Sequence, residues 1–280
     1  MSEKSNQILS SMSLGEDGIF SYPFANTDQS EEIELRESVA DQQYDDYLAV
    51  ISKHHSIRVM DNEVSLFLDK IPLGGSIVDV GGCWGWHWRN VTHMRPDLKI
   101  YIVDFIRSNL YHASKVLGKS IGKNIFLIHG DATNLIFEEN ELDGYWSVQT
   151  LQHIPDYEKA IKEAFRILRP GGVLANYSLN VQSGLRLIYR ILGKNYHVRG
   201  VIPGKFYLAR ASTEQLDIVE TIFSNEVIQR YTEVIFIPEL KVKFTGREDS
   251  FFGLIDAYLS NKKGFFSSVA RQQSFHTSKT

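Results

Sequence analysis

An acid, three glycines and a thiol crowd into Asp79-Val80-Gly81-Gly82-Cys83-Trp84-Gly85. A second acid, Asp104, closes the apolar run Lys99-Ile-Tyr-Ile-Val about twenty residues beyond that turn. Glycines let a backbone approach a ligand with no Cβ in the way, and they accept a positive φ. A carboxylate at a strand tip can accept two hydrogen bonds from a vicinal ribose diol. Charge-assisted bonds of that kind contribute roughly 1.5–3 kcal/mol each. The chemistry on offer is therefore recognition of an adenosine-containing cofactor. The spacing is not that of a dinucleotide turn, whose sixth position is a glycine that lets helix and strand pack closely. Counted from Gly81, that position is Trp86; counted from Gly82, the third is Trp84.

Such residues need strands and helices to hold them. The apolar runs predict strands over 76–80, 99–103, 125–129, 145–149 and 173–178. Helices are expected over 85–94, 108–117 and 156–168. In the last, Tyr157, Ala160, Ile161, Ala164, Phe165 and Leu168 share one face. The alternation implies a parallel sheet with helices on both faces. Ligands bind beyond the carboxyl ends of such strands, where strand order reverses. Ahead of this unit, residues 1–30 read as a loose polar tail, with docking of the aromatic trio Phe20, Tyr22 and Phe24 on another surface as the alternative. Residues 31–72 read as a helical extension, with helices over 31–52 and 61–70, the second capped by Asp61 or Asn62. The main domain spans 73–280. After Leu179 the pattern breaks into a cap insertion at about 180–211. A capping box, Ser212-Thr-Glu-Gln215, then opens another helix. A sixth strand over 227–237, a helix around 249–260 and a last strand around 265–275 complete the reading.

The turn resembles the first motif of class I S-adenosylmethionine-dependent methyltransferases. Asp79, Gly81 and Gly85 match it, and Cys83 replaces the usual middle glycine. Asp104 fits the ribose-binding acid. His129-Gly130-Asp131-Ala132 fits the segment after the third strand, whose acid meets the adenine amino group. The stretch from Leu142 to Asp156 fits the fourth strand and its following turn, and Arg166-Ile-Leu-Arg-Pro170-Gly171-Gly172 fits the last motif. The fourth-strand turn looks like the small-molecule, type 11-like branch. The resemblance implies an α/β Rossmann-like sheet of seven mostly parallel strands. It also implies S-adenosyl-L-methionine as cofactor, held by Asp79, Gly81, Gly82, Cys83, Gly85, Asp104, Phe105, Asp131, Ala132 and Gln149. Tyr44 or Tyr47, on the N-terminal helix, would close over it. The acceptor is expected to be a small molecule, most simply a sugar or secondary metabolite methylated on oxygen. N- or C-methylation and a non-catalytic cofactor-binding scaffold stay open.

His153 lies just past the fourth strand, where an acceptor would sit, and is the candidate general base; a purely structural role is the competing reading. Tyr189, His197, Arg199 and Lys205 are acceptor-site candidates in the insertion. Cys83 reads as a small residue where glycine is usual rather than as a reactive thiol, and Trp84, Trp86 and Trp88 as packing residues. No histidine pairs with a carboxylate or thiolate at ligand spacing, so no metal is expected. Net charge is −4 with no basic block apparent in that count, which gives nucleic acid little support. One cysteine excludes an internal disulfide. With no apolar run of membrane-spanning length, the chain reads as cytoplasmic with no membrane span. The sequence leaves a homodimer open.

Overall fold

The computed structural model describes residues 8–24, 37, 56–180, 183–194, 213–235 and 247–280. Apart from residue 37, the helix expected over 31–52, with Tyr44 and Tyr47, lies outside these residues, as do His197, Arg199 and Lys205.

The described strands are β1 (Ser13–Leu14), β2 (Phe20–Ser21), β3 (Ser76–Val80), β4 (Lys99–Asp104), β5 (Ile125–His129), β6 (Leu142–Val148), β7 (Leu168–Leu179), β8 (Ile228–Thr232) and β9 (Gln272–Ser278). They form one sheet in the order β1-β2-β5-β4-β3-β6-β7-β9-β8. β2, β5, β4, β3, β6 and β7 run parallel; β1 pairs antiparallel with β2, and β9 lies antiparallel between β7 and β8. Strand order reverses at β3, the strand that feeds the glycine turn. The class is as expected, and the strand count is not. Seven strands make the main sheet, and a hairpin of two-residue strands adds two more at its β5 edge.

Alternate residues of each strand enter different layers because successive side chains point to opposite faces. Val78, Val80, Tyr101 and Val103 join the layer containing α4 (Tyr157–Ile167) and α6 (Thr213–Phe223). Ile77, Ile100 and Ile102 join the layer containing α1 (Ile57–Leu68) and α3 (Arg107–Leu117). Both faces are buried, which is why these strands read as unbroken apolar runs. The remaining helices are α2 (Val91–Met94), α5 (Gly184–Ile191), α7 (Phe251–Leu259) and α8 (Phe265–Val269).

Several expectations need correction. Residues 8–24, assigned to a loose tail, are packed: Ile8, Leu9, Ile19 and Tyr22 are buried, and Phe20 pairs with Ile128. Arg107 ties the hairpin down, donating to Asp17 from Nε (3.0 Å) and Nη2 (2.8 Å). The helix expected over 85–94 is a 3₁₀ turn at Trp86–Trp88 followed by the single turn of α2. Helix α1 starts four residues ahead of the proposed cap Asp61, which instead takes a two-pronged contact from Arg89 (3.0 and 2.7 Å). Residues 265–269, expected as strand, are helix α8, and the last strand starts at Gln272, where pairing to Leu179 begins.

Candidate active site

The turns after β3, β4, β5 and β6 meet at one edge of the sheet and enclose a cavity. Gly81, Cys83, Asp104, Phe105, Asp131, Ala132, Gln149 and His153, all singled out from the sequence, line it. Asp79, Gly82 and Gly85 do not appear in its wall. Asp79 and Gly85 are buried, and Gly82 is partly exposed.

Gly81 has φ +71°, and a Cβ there would come within 2.1 Å of the Thr150 side chain. Gly85 also has positive φ, with Leu117 2.5 Å from where its Cβ would be. A Cβ on Gly82 would meet the Asp79 carboxylate at 2.3 Å. Each glycine thus answers a particular neighbour. Cys83 sits at φ +51°, a region L residues with a Cβ rarely adopt. The backbone still asks for the glycine it lacks. Gln149, across the cavity, has φ +53° and donates its N–H to Tyr177 O at 2.7 Å.

Asp104 joins two of these turns. Its Oδ2 accepts the Cys83 N–H (2.9 Å), and its Oδ1 accepts the Ile106 N–H (2.8 Å) and a longer bond from Asn109 (3.3 Å). Asn109 lines the cavity and is braced by the Trp84 indole N–H (3.2 Å). Trp84 therefore acts through packing. Asp131 accepts from the backbone N–H and the hydroxyl of Thr133, both at 2.8 Å, which makes it a turn residue as well as a wall residue. Behind it stands Tyr22. Its hydroxyl donates to Asn134 O (2.8 Å) and accepts the Asp131 N–H (3.1 Å). Phe24 packs on Phe105, with ring centroids 5.3 Å apart. The N-terminal hairpin thus supports the loops after β4 and β5, a role its polar surroundings concealed. Thr150, Asn109 and Tyr22 were missed. For Thr150 and Asn109 the signal was adjacency to Gln149 and Asp104; for Tyr22 it was the aromatic trio, which did not say what it would dock on.

Asp79 is fully buried, and burial pushes its carboxyl up to about 7, opposed by the Trp88 indole N–H that donates to it at 2.6 Å. The folded chain therefore keeps a proton that the unfolded chain releases near pH 4. A raised acid stabilises the fold at low pH, and that contribution is lost as pH rises from about 4 through 7. His87, pushed down to about 4 by burial, acts in the opposite sense below its ordinary value. Thermal melts of the parent and Asp79→Asn between pH 5 and 8 isolate the aspartate. We expect a smaller loss of melting temperature with rising pH in the variant. Parallel profiles would mean Asp79 is ionised throughout.

Among the described residues the wall includes two carboxylates and no lysine or arginine. A wall of that charge suits a cationic ligand such as a sulfonium. Four turns at the carboxyl ends of β3 to β6, on a sheet of this strand order, are the arrangement that the class I S-adenosylmethionine-dependent methyltransferase motifs imply. Comparison with known proteins agrees. Residues 78–176 match the methyltransferase domain model of the type 11 family. A demethylmenaquinone methyltransferase of Listeria welshimeri is 28% identical over 171 residues, 59% of this chain and 69% of the relative. A possible histamine N-methyltransferase of Thermotoga maritima shares the fold with TM-score 0.58 at 19% identity, covering 89% of this chain and 99% of that one. A phosphoethanolamine N-methyltransferase of Haemonchus contortus, solved with S-adenosyl-L-methionine, has TM-score 0.52 at 19% identity over 78% of this chain and 52% of that one. The chain is an enzyme carrying a type 11-like methyltransferase domain, with S-adenosyl-L-methionine as its methyl donor.

Proposed function

We propose that the acceptor is a small, mostly apolar molecule bearing one acidic hydroxyl, and that His153 removes its proton. The observation that carries this reading is the cavity wall after β6: Gln149, Thr150, His153 and Ile154. It offers one imidazole, one amide, one hydroxyl and an aliphatic surface. Among the described residues the cavity's carboxylates, Asp104 and Asp131, are the two assigned to the cofactor. That composition gives a sugar acceptor less support than the sequence suggested. The relatives named demethylmenaquinone methyltransferase favour a quinone-type acceptor in its hydroxyl-bearing form. Once the hydroxyl proton is gone, either the oxygen or a conjugated ring carbon is nucleophilic.

His153 is set up for this task by its neighbour. Gln152 is buried, and its Oε1 accepts the Leu179 N–H at 2.9 Å. Its amide nitrogen is thereby turned toward His153 Nε2, 3.3 Å away. An amide donor there requires Nε2 to be unprotonated. The contact is long for a hydrogen bond, so an acidic hydroxyl can replace it. The bound cofactor supplies a methyl group that is already electrophilic. The chain's own contribution is mostly orientation, worth roughly 7–11 kcal/mol of barrier when reacting atoms are well aligned.

His153→Ala is expected to lower turnover roughly 10²–10⁴-fold. Cofactor affinity, read by calorimetric titration, should change little. The assay follows S-adenosylhomocysteine release with hydroxyaromatic, reduced quinone, amine and sugar acceptors. Turnover confined to sugars or amines would overturn the acceptor class, and unchanged turnover would leave His153 a structural residue.

A further inference from the structure

Helix α5 starts just beyond the carboxyl end of β7, the sheet edge that also holds the cavity. Its inner face is small: Tyr189 is buried, with Leu185 packed on it. Its outer face is apolar and bare. Leu187 and Ile188 are half exposed, Ile191 is 75% exposed and Leu192 62%. Arg186 and Arg190, one turn apart, edge that stripe, and Lys194 follows it. Helix α8 packs alongside: Ser183 Oγ donates to Val269 O at 2.9 Å, and the Gly184 Cα faces Ser268. It opens with the same chemistry, Lys262-Lys263-Gly264-Phe265, in which Phe265 is 73% exposed.

Charge is segregated to match. Residues 183–194 carry Arg186, Arg190 and Lys194, and residues 257–265 carry Lys262 and Lys263, with no Asp or Glu in either stretch. All 34 acidic residues lie elsewhere in a chain whose net charge is −4. A bare apolar stripe edged with cations is unusual on a water-facing surface and calls for a covering partner. A second copy fits poorly, because a two-fold contact sets a patch against itself and would bring like charges together. An anionic bilayer surface satisfies both features: aliphatic and aromatic side chains enter the headgroup boundary and the cations stay at the lipid charges. Among the described residues no helix is long and apolar enough to cross a membrane, so the contact is peripheral.

We propose that α5 and residues 262–266 form a docking face for an anionic membrane surface, on the cavity side of the sheet. An acceptor dissolved in the bilayer would then reach the site without crossing water. The docking face stands independently of the acceptor class, since it is measured without methyl transfer.

The test is co-sedimentation of the full chain with phosphatidylcholine vesicles, with and without equimolar phosphatidylglycerol. It is run where the Debye length is about 10 Å and again where it is about 3 Å. Binding is expected only to the anionic vesicles and is expected to weaken at the shorter screening length. Arg190→Ala and Lys263→Ala should each cost about fivefold, as expected for one cation near an anionic surface. The pair Ile188→Ser and Ile191→Ser, at exposed positions, should cost at least tenfold with an unchanged melting curve. Equal binding to neutral vesicles, no binding to either, or variants that bind like the parent would overturn the proposal. Sedimentation velocity without lipid provides the other arm. A monomer is expected, and a dimer abolished by Ile191→Ser would assign the face to a second copy instead.

Discussion

Asp104→Ala is expected to weaken S-adenosylmethionine binding at least tenfold. Two effects act together. On the proposed ribose assignment the cofactor loses a charged acceptor, and one charge-assisted hydrogen bond of roughly 1.5–3 kcal/mol already exceeds the 1.4 kcal/mol of a tenfold change. The carboxylate also holds the Cys83 N–H at 2.9 Å and the Ile106 N–H at 2.8 Å, so its removal loosens the turns on both sides of the cavity. The second effect is large here because Cys83 sits at positive φ without being glycine. Asp104→Asn separates the two. It keeps the size and one acceptor oxygen, and should hold the turns better while losing the charge. Calorimetric titration with a melting curve for each variant reads both. An unchanged dissociation constant for Asp104→Ala would contradict the ribose assignment.

The largest effect on stability is expected at Gly81. In Gly81→Ala the new methyl enters a left-handed backbone, at a cost of roughly 1–2 kcal/mol. It also meets Thr150 Cγ2 and Oγ1 at 2.1 Å, an overpacking collision of the kind that costs about 1–3 kcal/mol. The sum, about 2–5 kcal/mol, is measurable by urea denaturation. Thr150 cannot turn away freely, since its hydroxyl donates to Gly81 O at 3.1 Å and to Val148 O at 3.2 Å. Thr150→Gly in the Gly81→Ala background should recover the collision part and leave the backbone part. A loss below about 1 kcal/mol in the single variant would mean that the tips of β3 and β6 move apart easily.

Much of the site was legible because its residues are carried by local signals. The turn after β3 announces itself through glycines, and Asp104 through its place at the end of an apolar strand. Their roles were less legible. Asp79 reads as a cofactor ligand in a linear motif; the fold buries it beside Trp88, whose indole N–H donates to it. Gly82 and Gly85 look like glycines that make room for a ligand, yet they make room for Asp79 and Leu117. The hairpin of residues 13–21 was invisible as structure, since strands of two residues carry no periodicity.

The sequence by itself determined the class of fold and the donor, and it singled out the loops that enclose the cavity. Periodicity of two and of 3.6, glycine turns and strand-end acids are short-range patterns, and each needs only a few neighbouring residues to be recognised. Only the tertiary structure decided which of those residues face the cavity, that Tyr22 and Phe24 brace loops more than eighty residues away in sequence, and that α5 is left with a bare apolar face beside cations. Those are properties of distance between segments remote in the chain. They follow from which surfaces remain uncovered after the sheet has buried both of its faces, and a linear pattern does not encode that remainder.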